Sequence, residues 1–174
     1  MTAPDPVAAP FAATAFFAGP ASLAGPASTR LTPDAMRTTE GNRWSAPGEP
    51  TIYLAGDLGV ALAEFGRHAP PEPADARIWA VQVDLDAVVD MRGLREASSL
   101  LDRAQCGAIA NGLRANGGCE GVLVPTVAML DRADRWNLVV FVDRLRRPLA
   151  EAIRPVEVVT KVTPAAAAVA AHLE

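Results

Sequence analysis

A series of short β-rich segments, separated at irregular intervals by helical segments, constrains the fold more than any other feature of the chain. The segments are TIYLA (51–55), RIWAVQVDL (77–85), GVLVP (121–125), NLVVFV (137–142) and PVEVVTKV (155–162). They are rich in branched and aromatic residues, as strands are, and turn-forming residues flank them. Because helices do not alternate regularly with these strands, the pattern predicts an α+β fold with a mainly antiparallel sheet.

Two longer helical segments interrupt the predicted strands. Asp57 is suited to cap a helix that ends near Arg67, and the apolar residues of this segment recur at helical spacing. A second helix is predicted over 106–118, closed by its two terminal glycines. The stretch 86–103 is predicted to form a turn and short helical pieces, and 164–174 a short terminal helix.

The chain has 174 residues, which is enough for one domain with a hydrophobic core. Residues 1–28 are rich in Ala, Pro, Gly and Ser and are predicted to form a flexible or irregular lead-in. Residues 29–162 are predicted to form the domain itself, and 163–174 a tail. Aromatic residues are unusual in a flexible lead-in, so part of it is expected to dock on the core: Phe11, Phe16 and Phe17.

Charge and composition argue against several classes of function. The formal net charge is −4 and no Lys/Arg-rich run occurs, so direct binding of nucleic acid is not expected. The phosphate-binding loops GxGxxG and GxxxxGK[ST] are absent. No apolar run approaches the roughly 18 to 20 residues that span a bilayer, and the N-terminus lacks the charged start of a signal peptide. We therefore expect a soluble, cytoplasmic protein that does not engage membranes.

The two cysteines, Cys106 and Cys119, do not have the spacing of a zinc site, and two distant histidines add no metal-binding pattern. No metal site is predicted. Two reduced, partly buried thiols are the expectation for a cytoplasmic protein, and a disulfide between them stays an alternative.

Several chemically versatile residues fall within the segment 41–68, GNRWSAPGEPTIYLAGDLGVALAEFGRH. Arg43 lies in a glycine-flanked turn, where its guanidinium can bind phosphate or carboxylate, or can stack on Trp44 at the surface. Tyr53 offers either an aromatic face with a free hydroxyl or a core ring with a satisfied hydroxyl. Glu64 interrupts an apolar helical turn, so this carboxylate either has a chemical task or forms a salt bridge.

Three further residues are weaker candidates. His68 lies one helical turn after Glu64 and can pair with it, contact a ligand or interact with the helix dipole. Thr126 follows one predicted strand, and Asn137 begins the next. Small hydrogen-bonding side chains at strand ends are common in binding sites, although turn formation also explains them.

The order of these residues resembles the RES-domain family, which is named for its Arg, Glu and Ser. The family opening G-G-R-W-N-x-x-G-x-x-x-[IVL]-Y-L-A, followed by A-L-x-E-x-x-x-H, corresponds here to GNRWSAPGEPTIYLA and ALAEFGRH. A later block, G-[IVL]-L-[VY]-P-S followed by N-L-V-L-F, corresponds to GVLVPT and NLVVF. VDLDAVVDM is similar to the element that lies between them. The resemblance covers roughly residues 29–150.

The resemblance implies an ADP-ribosyltransferase-like core and an NAD+-consuming enzyme. Similar proteins are toxins of toxin–antitoxin pairs that cleave the nicotinamide–ribose bond of NAD+ by phosphorolysis or hydrolysis, or that transfer ADP-ribose to a protein. The resemblance also implies an antitoxin partner, typically an Xre-like protein whose C-terminal segment fills the NAD+ site. NAD+ and, for phosphorolysis, inorganic phosphate are then substrates, and no separate cofactor is expected.

Roles for individual residues also follow from the resemblance. Glu64 would stabilise the positive charge that develops on the ribose, or would hold a ribose hydroxyl. Arg43 would pair with the pyrophosphate or with an incoming phosphate, and Trp44 beside it would belong to the same binding turn. Tyr53 would stack on the nicotinamide ribose or position it.

Thr126 would take the position of the family's serine, with Asn137 and His68 as additional contacts. This threonine keeps the hydroxyl and adds a methyl group that restricts χ1. The family also has an arginine upstream of the GRW block, and the corresponding stretch LAGPAS has none. Arg30 is favoured as its replacement because it ends a short strand-like piece, and Arg37 is the alternative. These departures leave a catalytically reduced RES-like module that binds a nucleotide or a protein as the alternative function.

Overall fold

The computed structural model describes residues 7–20, 31–32, 37–68, 76–93, 100–129, 132 and 134–162. Within these ranges the elements are, in chain order, β1 (Ala8–Pro20), β2 (Thr51–Ala55), α1 (Leu58–His68), β3 (Ala76–Asp90), α2 (Arg103–Ala115), β4 (Gly121–Pro125), β5 (Trp136–Phe141), α3 (Leu149–Ala152) and β6 (Ile153–Val162). A 3-10 turn, Val142–Arg144, follows β5. None of the described helices is long and apolar enough to cross a membrane.

The strands form one sheet that closes on itself as a barrel. Their order is β1-β2-β5-β4-β3-β6, and a further pairing of β1 with β3 closes the first five strands into a ring. β6 pairs antiparallel with the first part of β3. Among the described pairings only that of β3 with β4 is parallel. The predicted α+β class and mainly antiparallel sheet are therefore confirmed.

Successive residues of a strand point to opposite sides of the barrel wall, and both sides are buried here. On β2, Ile52 and Leu54 join a core that takes residues from all six strands, whereas Tyr53 joins a second cluster. We call this second cluster the outer core; α2 and Trp44 cover it. The alternation along β2 therefore directs Tyr53 toward the turn that carries Trp44.

All five predicted strands are present, and β2 and β4 have the predicted bounds. β5 begins at Trp136 and β6 at Ile153, slightly earlier than predicted. The prediction of a turn is wrong for 86–90, because β3 continues through these residues and pairs there with both β1 and β4. The terminal helix predicted over 164–174 lies outside the described residues.

Both predicted helices are present as well. Asp57 caps α1, since its carboxylate accepts the N–H of Val60 at 3.0 Å. α2 begins at Arg103, earlier than predicted, because the Asp102 side chain caps it by accepting two backbone N–H groups. The helix is followed by Gly117 at φ +69°, in agreement with the predicted glycine closure.

The N-terminal segment contains a strand where an irregular lead-in is predicted. Residues 8–20 form β1, which pairs with β3 along almost its whole length. The prediction is wrong here because an Ala- and Pro-rich composition carries little strand signal, and the partner that supplies the hydrogen bonds is remote in sequence. The sheet therefore includes residues that lie before the domain boundary predicted at 29.

The aromatic residues of β1 dock on the core, as predicted. Phe17 stacks on Trp79 with ring centroids 5.0 Å apart, and Phe11 meets Trp136 edge-on at 5.6 Å. Phe16 packs against two smaller clusters beside α1. These contacts attach β1 to three other parts of the barrel.

A buried carboxylate, Glu120, holds the junction just before β4. It is 1% exposed. One oxygen accepts the backbone N–H groups of Asp86 and Ala87 at 2.6 and 2.9 Å, and the other accepts the N–H of Arg146 at 2.7 Å. Three backbone donors from two segments therefore depend on one side chain.

We expect Glu120→Gln to lower the free energy of unfolding by about 2–4 kcal/mol. The amide oxygen can replace only one carboxylate oxygen, so the amide NH2 group must face a backbone N–H donor. Urea unfolding measures the change. The matched control is Glu151→Gln on the exposed side of α3, which is expected to change stability by less than about 0.5 kcal/mol. Equal stability of the two variants would contradict a structural role for Glu120.

Candidate active site

The turn that carries Arg43 is closed by backbone hydrogen bonds between Asn42 and Ser45. The N–H of each residue donates to the carbonyl of the other, at 3.0 and 3.3 Å. Gly41 enters the turn at φ +68°, and a Cβ there would lie 2.6 Å from the Ser45 carbonyl oxygen. Only glycine fits this position without strain. Arg43 and Trp44 are therefore held at the tip of a tight turn.

Trp44 anchors the turn in the outer core. Its side chain is 3% exposed, and its backbone N–H donates to the Tyr53 hydroxyl at 3.1 Å. Burial raises the pKa of Tyr53, although hydrogen bonds and nearby arginines oppose the rise. The phenol is therefore neutral at neutral pH and ties β2 to the turn. Because the Trp44 ring is buried, it is not a surface platform on which Arg43 stacks.

Arg43 is half-buried and lines a cavity. Among the residues that the structure describes, it forms no hydrogen bond and no ion pair. Its charge still reaches two neighbours: burial raises the pKa of Tyr53 and of the Cys106 thiol, and Arg43 opposes both rises. A guanidinium beside a cavity, with its donors not engaged by the described residues, is a suitable group for binding an anion.

Glu64 lies on α1 with one carboxylate oxygen held in place. Its Oε1 accepts the Asn137 amide N–H at 2.8 Å and the Thr126 hydroxyl at 3.1 Å. Its Oε2 lies 3.8 Å from Arg67, in a partly exposed ion pair that is too long to be strong. The carboxylate is thus oriented through Oε1, while Oε2 makes no hydrogen bond within the described part of the chain.

β5 brings Glu64, Thr126 and Asn137 close to one another. Asn137 lies opposite Ala55, the last residue of β2, and β5 also pairs with β4, which Thr126 follows. α1 begins directly after β2, so Glu64 lies near the end of β2, where Asn137 and Thr126 are placed. Gly56 permits this close approach, because a Cβ there would lie 2.4 Å from the Trp136 ring.

Thr126 is a linking residue within this cluster. It is 1% exposed, and its hydroxyl both donates to Glu64 and accepts the N–H of Ala128 at 3.2 Å. The amide nitrogen of Asn137 lies 3.4 Å from the same hydroxyl. The hydroxyl shared by Ser and Thr therefore connects the loop after β4 to the carboxylate.

A cavity of about 370 Å³ lies among the turn, β1, β2, α1 and the paired ends of β4 and β5. Its polar lining is Asn42, Arg43, Tyr53, Glu64 and Asn137. Its larger apolar side chains include Phe16, Phe17 and Phe65. A cation and a carboxylate therefore meet in one largely apolar cleft, an arrangement typical of small-molecule sites.

The structure does not place every predicted site residue in the cavity. Arg30 lies outside the described residues. His68 is the last residue of α1, and its side chain is outside the described part of the structure. Arg37, the alternative to Arg30, donates to the Gly48 carbonyl at 2.5 Å, a few residues after the turn that carries Arg43. Arg37 is not part of the cavity lining.

Phe16, Phe17 and Ala18 line the cavity and were not among the predicted site residues. They lie on β1, within the segment predicted to be a lead-in. The apolar run TAFFAG was the available signal, because two adjacent aromatic residues favour a strand.

Cys106 and Cys119 are free and buried, as predicted for reduced thiols, so the disulfide alternative is wrong. Among the described residues, no group of three or more His, Cys, Asp or Glu side chains could hold a metal ion.

Comparisons with known proteins identify a family and a fold. The RES-domain family model matches residues 18–161, most of the chain. A similar solved structure is a chain of "Crystal structure of the M.tuberculosis MbcT-MbcA toxin-antitoxin complex". This chain and the matched chain of that structure share 23% sequence identity, and their folds superpose with a TM-score of 0.65. The match covers 95% of this chain and 92% of that chain. At this identity the likeness establishes a shared fold. Among curated proteins, no sequence matches this one.

Proposed function

This chain belongs to the RES-domain family, and from that premise we propose that it is a toxin-type enzyme that cleaves the nicotinamide–ribose bond of NAD+. The acceptor is inorganic phosphate, water or a protein side chain. An ADP-ribosyltransferase-like arrangement of the barrel around NAD+ is part of the same proposal. Family membership supports it, together with the contents of the cavity.

One observation carries the proposal: an arginine that has no ion-pair partner among the described residues and an oriented carboxylate line the same cleft. Within the described part of the chain, Arg43 forms no ion pair, and the hydrogen bonds that orient Glu64 use a single carboxylate oxygen. NAD+ presents complementary groups, because its pyrophosphate is anionic and its ribose becomes cationic as the glycosidic bond breaks. The cleft therefore has one group for each charge.

Glu64 is assigned to the ribose. As the C1–N bond breaks, its electron pair leaves with nicotinamide, and the ribose acquires oxocarbenium character. A carboxylate beside that carbon stabilises the developing charge more than it stabilises the substrate, which lowers the barrier. Asn137 and Thr126 do not touch the substrate in this scheme; their hydrogen bonds aim the carboxylate.

Arg43 is assigned to the pyrophosphate or to an incoming phosphate, since its planar donor fork suits both. Tyr53 is assigned to the nicotinamide ribose, where its neutral phenol contributes shape and a hydroxyl without adding charge. Trp44 supports both residues through the turn.

An antitoxin is the proposed protein partner. The similar solved chain comes from a toxin–antitoxin complex, and a segment that fills the cleft would block access to Arg43 and Glu64 at once. An Xre-like antitoxin and a cytoplasmic site of action belong to this proposal through the family resemblance.

The test is the loss of NAD+ in the presence of purified protein, with and without inorganic phosphate. Loss that requires phosphate and gives ADP-ribose-1″-phosphate is expected for a phosphorylase. Loss without phosphate indicates hydrolysis when ADP-ribose accumulates, or transfer when ADP-ribose becomes attached to protein. Folded protein that is free of antitoxin and consumes no NAD+ in either buffer would contradict the proposal and favour the binding-module alternative.

A further inference from the structure

A second arginine, Arg114 at the end of α2, is buried beneath the turn and is absent from the cavity lining. Its side chain is 4% exposed. It donates to the Asp143 carboxylate at 2.6 Å and to the Thr51 hydroxyl at 2.7 Å. Its guanidinium carbon lies 4.2 Å from the centre of the Phe141 ring. A buried guanidinium is costly unless its donors are paired. Both terminal nitrogens of Arg114 are paired, whereas its Nε–H makes no hydrogen bond among the described residues.

Arg114 also contacts the turn through Glu49. The guanidinium Nε lies 3.6 Å from Oε2 of Glu49, so the two groups form an ion pair but no hydrogen bond. The same oxygen accepts the backbone N–H of Ala46 at 2.7 Å. Ala46 directly follows the Asn42–Ser45 bridge that holds Arg43. One side of the guanidinium therefore supports the turn.

The other side of the guanidinium supports β2. Thr51 is the first residue of this strand, and Tyr53 lies two residues later on the face that meets the turn. The hydrogen bond from the Trp44 N–H to the Tyr53 hydroxyl closes the loop of contacts. The turn and the strand are thus joined at two points, one lining the cavity and one buried behind it.

We propose that Arg114 and Glu49 are positioning residues that set the placement of Arg43 relative to Tyr53 by clamping the turn to the start of β2. The contribution to catalysis rests on the proposed function, since it requires Arg43 and Tyr53 to bind substrate. Neither Arg114 nor Glu49 lines the cavity, so they act through the residues that they hold.

The first arm of the test is kinetic and uses Glu49, which is partly exposed and can be replaced with little risk to folding. Glu49→Ala is expected to raise the KM for NAD+ about tenfold and to leave kcat within about threefold, because a displaced Arg43 weakens binding more than chemistry. Glu49→Gln keeps an oxygen that can accept the Ala46 N–H, so its KM for NAD+ is expected to rise less than that of Glu49→Ala. Arg114→Lys, which keeps the charge but loses the fork, is expected to resemble Glu49→Ala.

The matched control is Arg147→Lys. Arg147 also uses its guanidinium to bridge two groups, the carboxylates of Asp84 and Asp86, but it belongs to neither the turn nor the cavity lining. The KM of Arg147→Lys for NAD+ is expected to equal that of the wild type. An equal rise in KM for this variant would overturn the proposal, because the effect would then be general.

The second arm needs no enzymatic activity. Amide hydrogen exchange by NMR is expected to show a protection loss of about tenfold or more at Trp44 and Ala46 in Glu49→Ala and Arg114→Lys. The amides of Asp86 and Ala87, which bind Glu120, serve as internal references and are expected to keep their protection.

The two arms separate the failure of this inference from the failure of the proposed function. In a protein that consumes NAD+, a raised KM together with loosened turn amides supports the clamp, and an unchanged value of either one overturns it. If the wild type consumes no NAD+, the proposed function fails and hydrogen exchange alone decides. Selective loosening of the turn then supports the clamp, and unchanged protection overturns it.

Discussion

Glu64→Gln is expected to lower kcat for NAD+ cleavage by about 10²–10³-fold, with little change in the affinity for NAD+. The amide oxygen can still accept from Asn137 and Thr126, so the side chain keeps its orientation. The variant then loses only the negative charge that faces the ribose as it becomes an oxocarbenium ion. Steady-state kinetics of nicotinamide release measure the effect.

Glu151→Gln on α3 is the matched control for the change from carboxylate to amide, because this side chain is exposed and lies outside the cavity lining. Its turnover is expected to equal that of the wild type. A Glu64→Gln enzyme with full turnover would show that the carboxylate has no catalytic role, and its hydrogen bonds with Asn137 and Thr126 would then be structural.

Arg43→Gln is expected to reduce kcat/KM for NAD+ by about 10²-fold, because hydrogen bonds between arginine and phosphate are charge-assisted and bidentate. Stability is expected to change by less than about 0.5 kcal/mol, since Arg43 makes no hydrogen bond or ion pair among the described residues. Arg43→Lys keeps the positive charge but loses the planar pair of donors. Its kcat/KM is expected to lie between those of the wild type and Arg43→Gln.

Arg154→Gln is the control for this change, because Arg154 is exposed on β6 and lies outside the cavity lining. Both variants are compared by kinetics and by urea unfolding. A large loss of stability in Arg43→Gln, or an equal loss of activity in Arg154→Gln, would count against anion binding by Arg43.

Elements with strong local signals could be predicted from the sequence. β2 and β4 are apolar runs between turn residues, and Asp57 marks the start of α1. Signals are weaker in 86–90 and in 8–20, where only the run TAFFAG favours a strand. These stretches become strands by pairing with partners that are remote in sequence: β1 with β3, and 86–90 with the start of β1 and with β4. Long-range pairing determines strand formation at these positions more than intrinsic preference does.

The candidate site was likewise predictable only where its residues form a local sequence pattern. The order of Arg43, Tyr53, Glu64, Thr126 and Asn137 along the chain indicated the family, which the family model confirms. Nothing in the sequence distinguishes Arg114 from an ordinary arginine in the last turn of a helix, where it would be expected to face solvent. Its burial becomes evident only when α2 is packed against Thr51 and Asp143.

By itself the sequence determined the α+β class, the principal local elements and the chemical groups available for a reaction, because these depend on residue type and near-neighbour spacing. Only the tertiary structure decided that β1 closes the barrel, that Asn137 and Thr126 orient Glu64, and that Arg114 supports the turn of Arg43. Such contacts join residues far apart in the chain. Their geometry depends on strand register and helix packing, which no local pattern specifies.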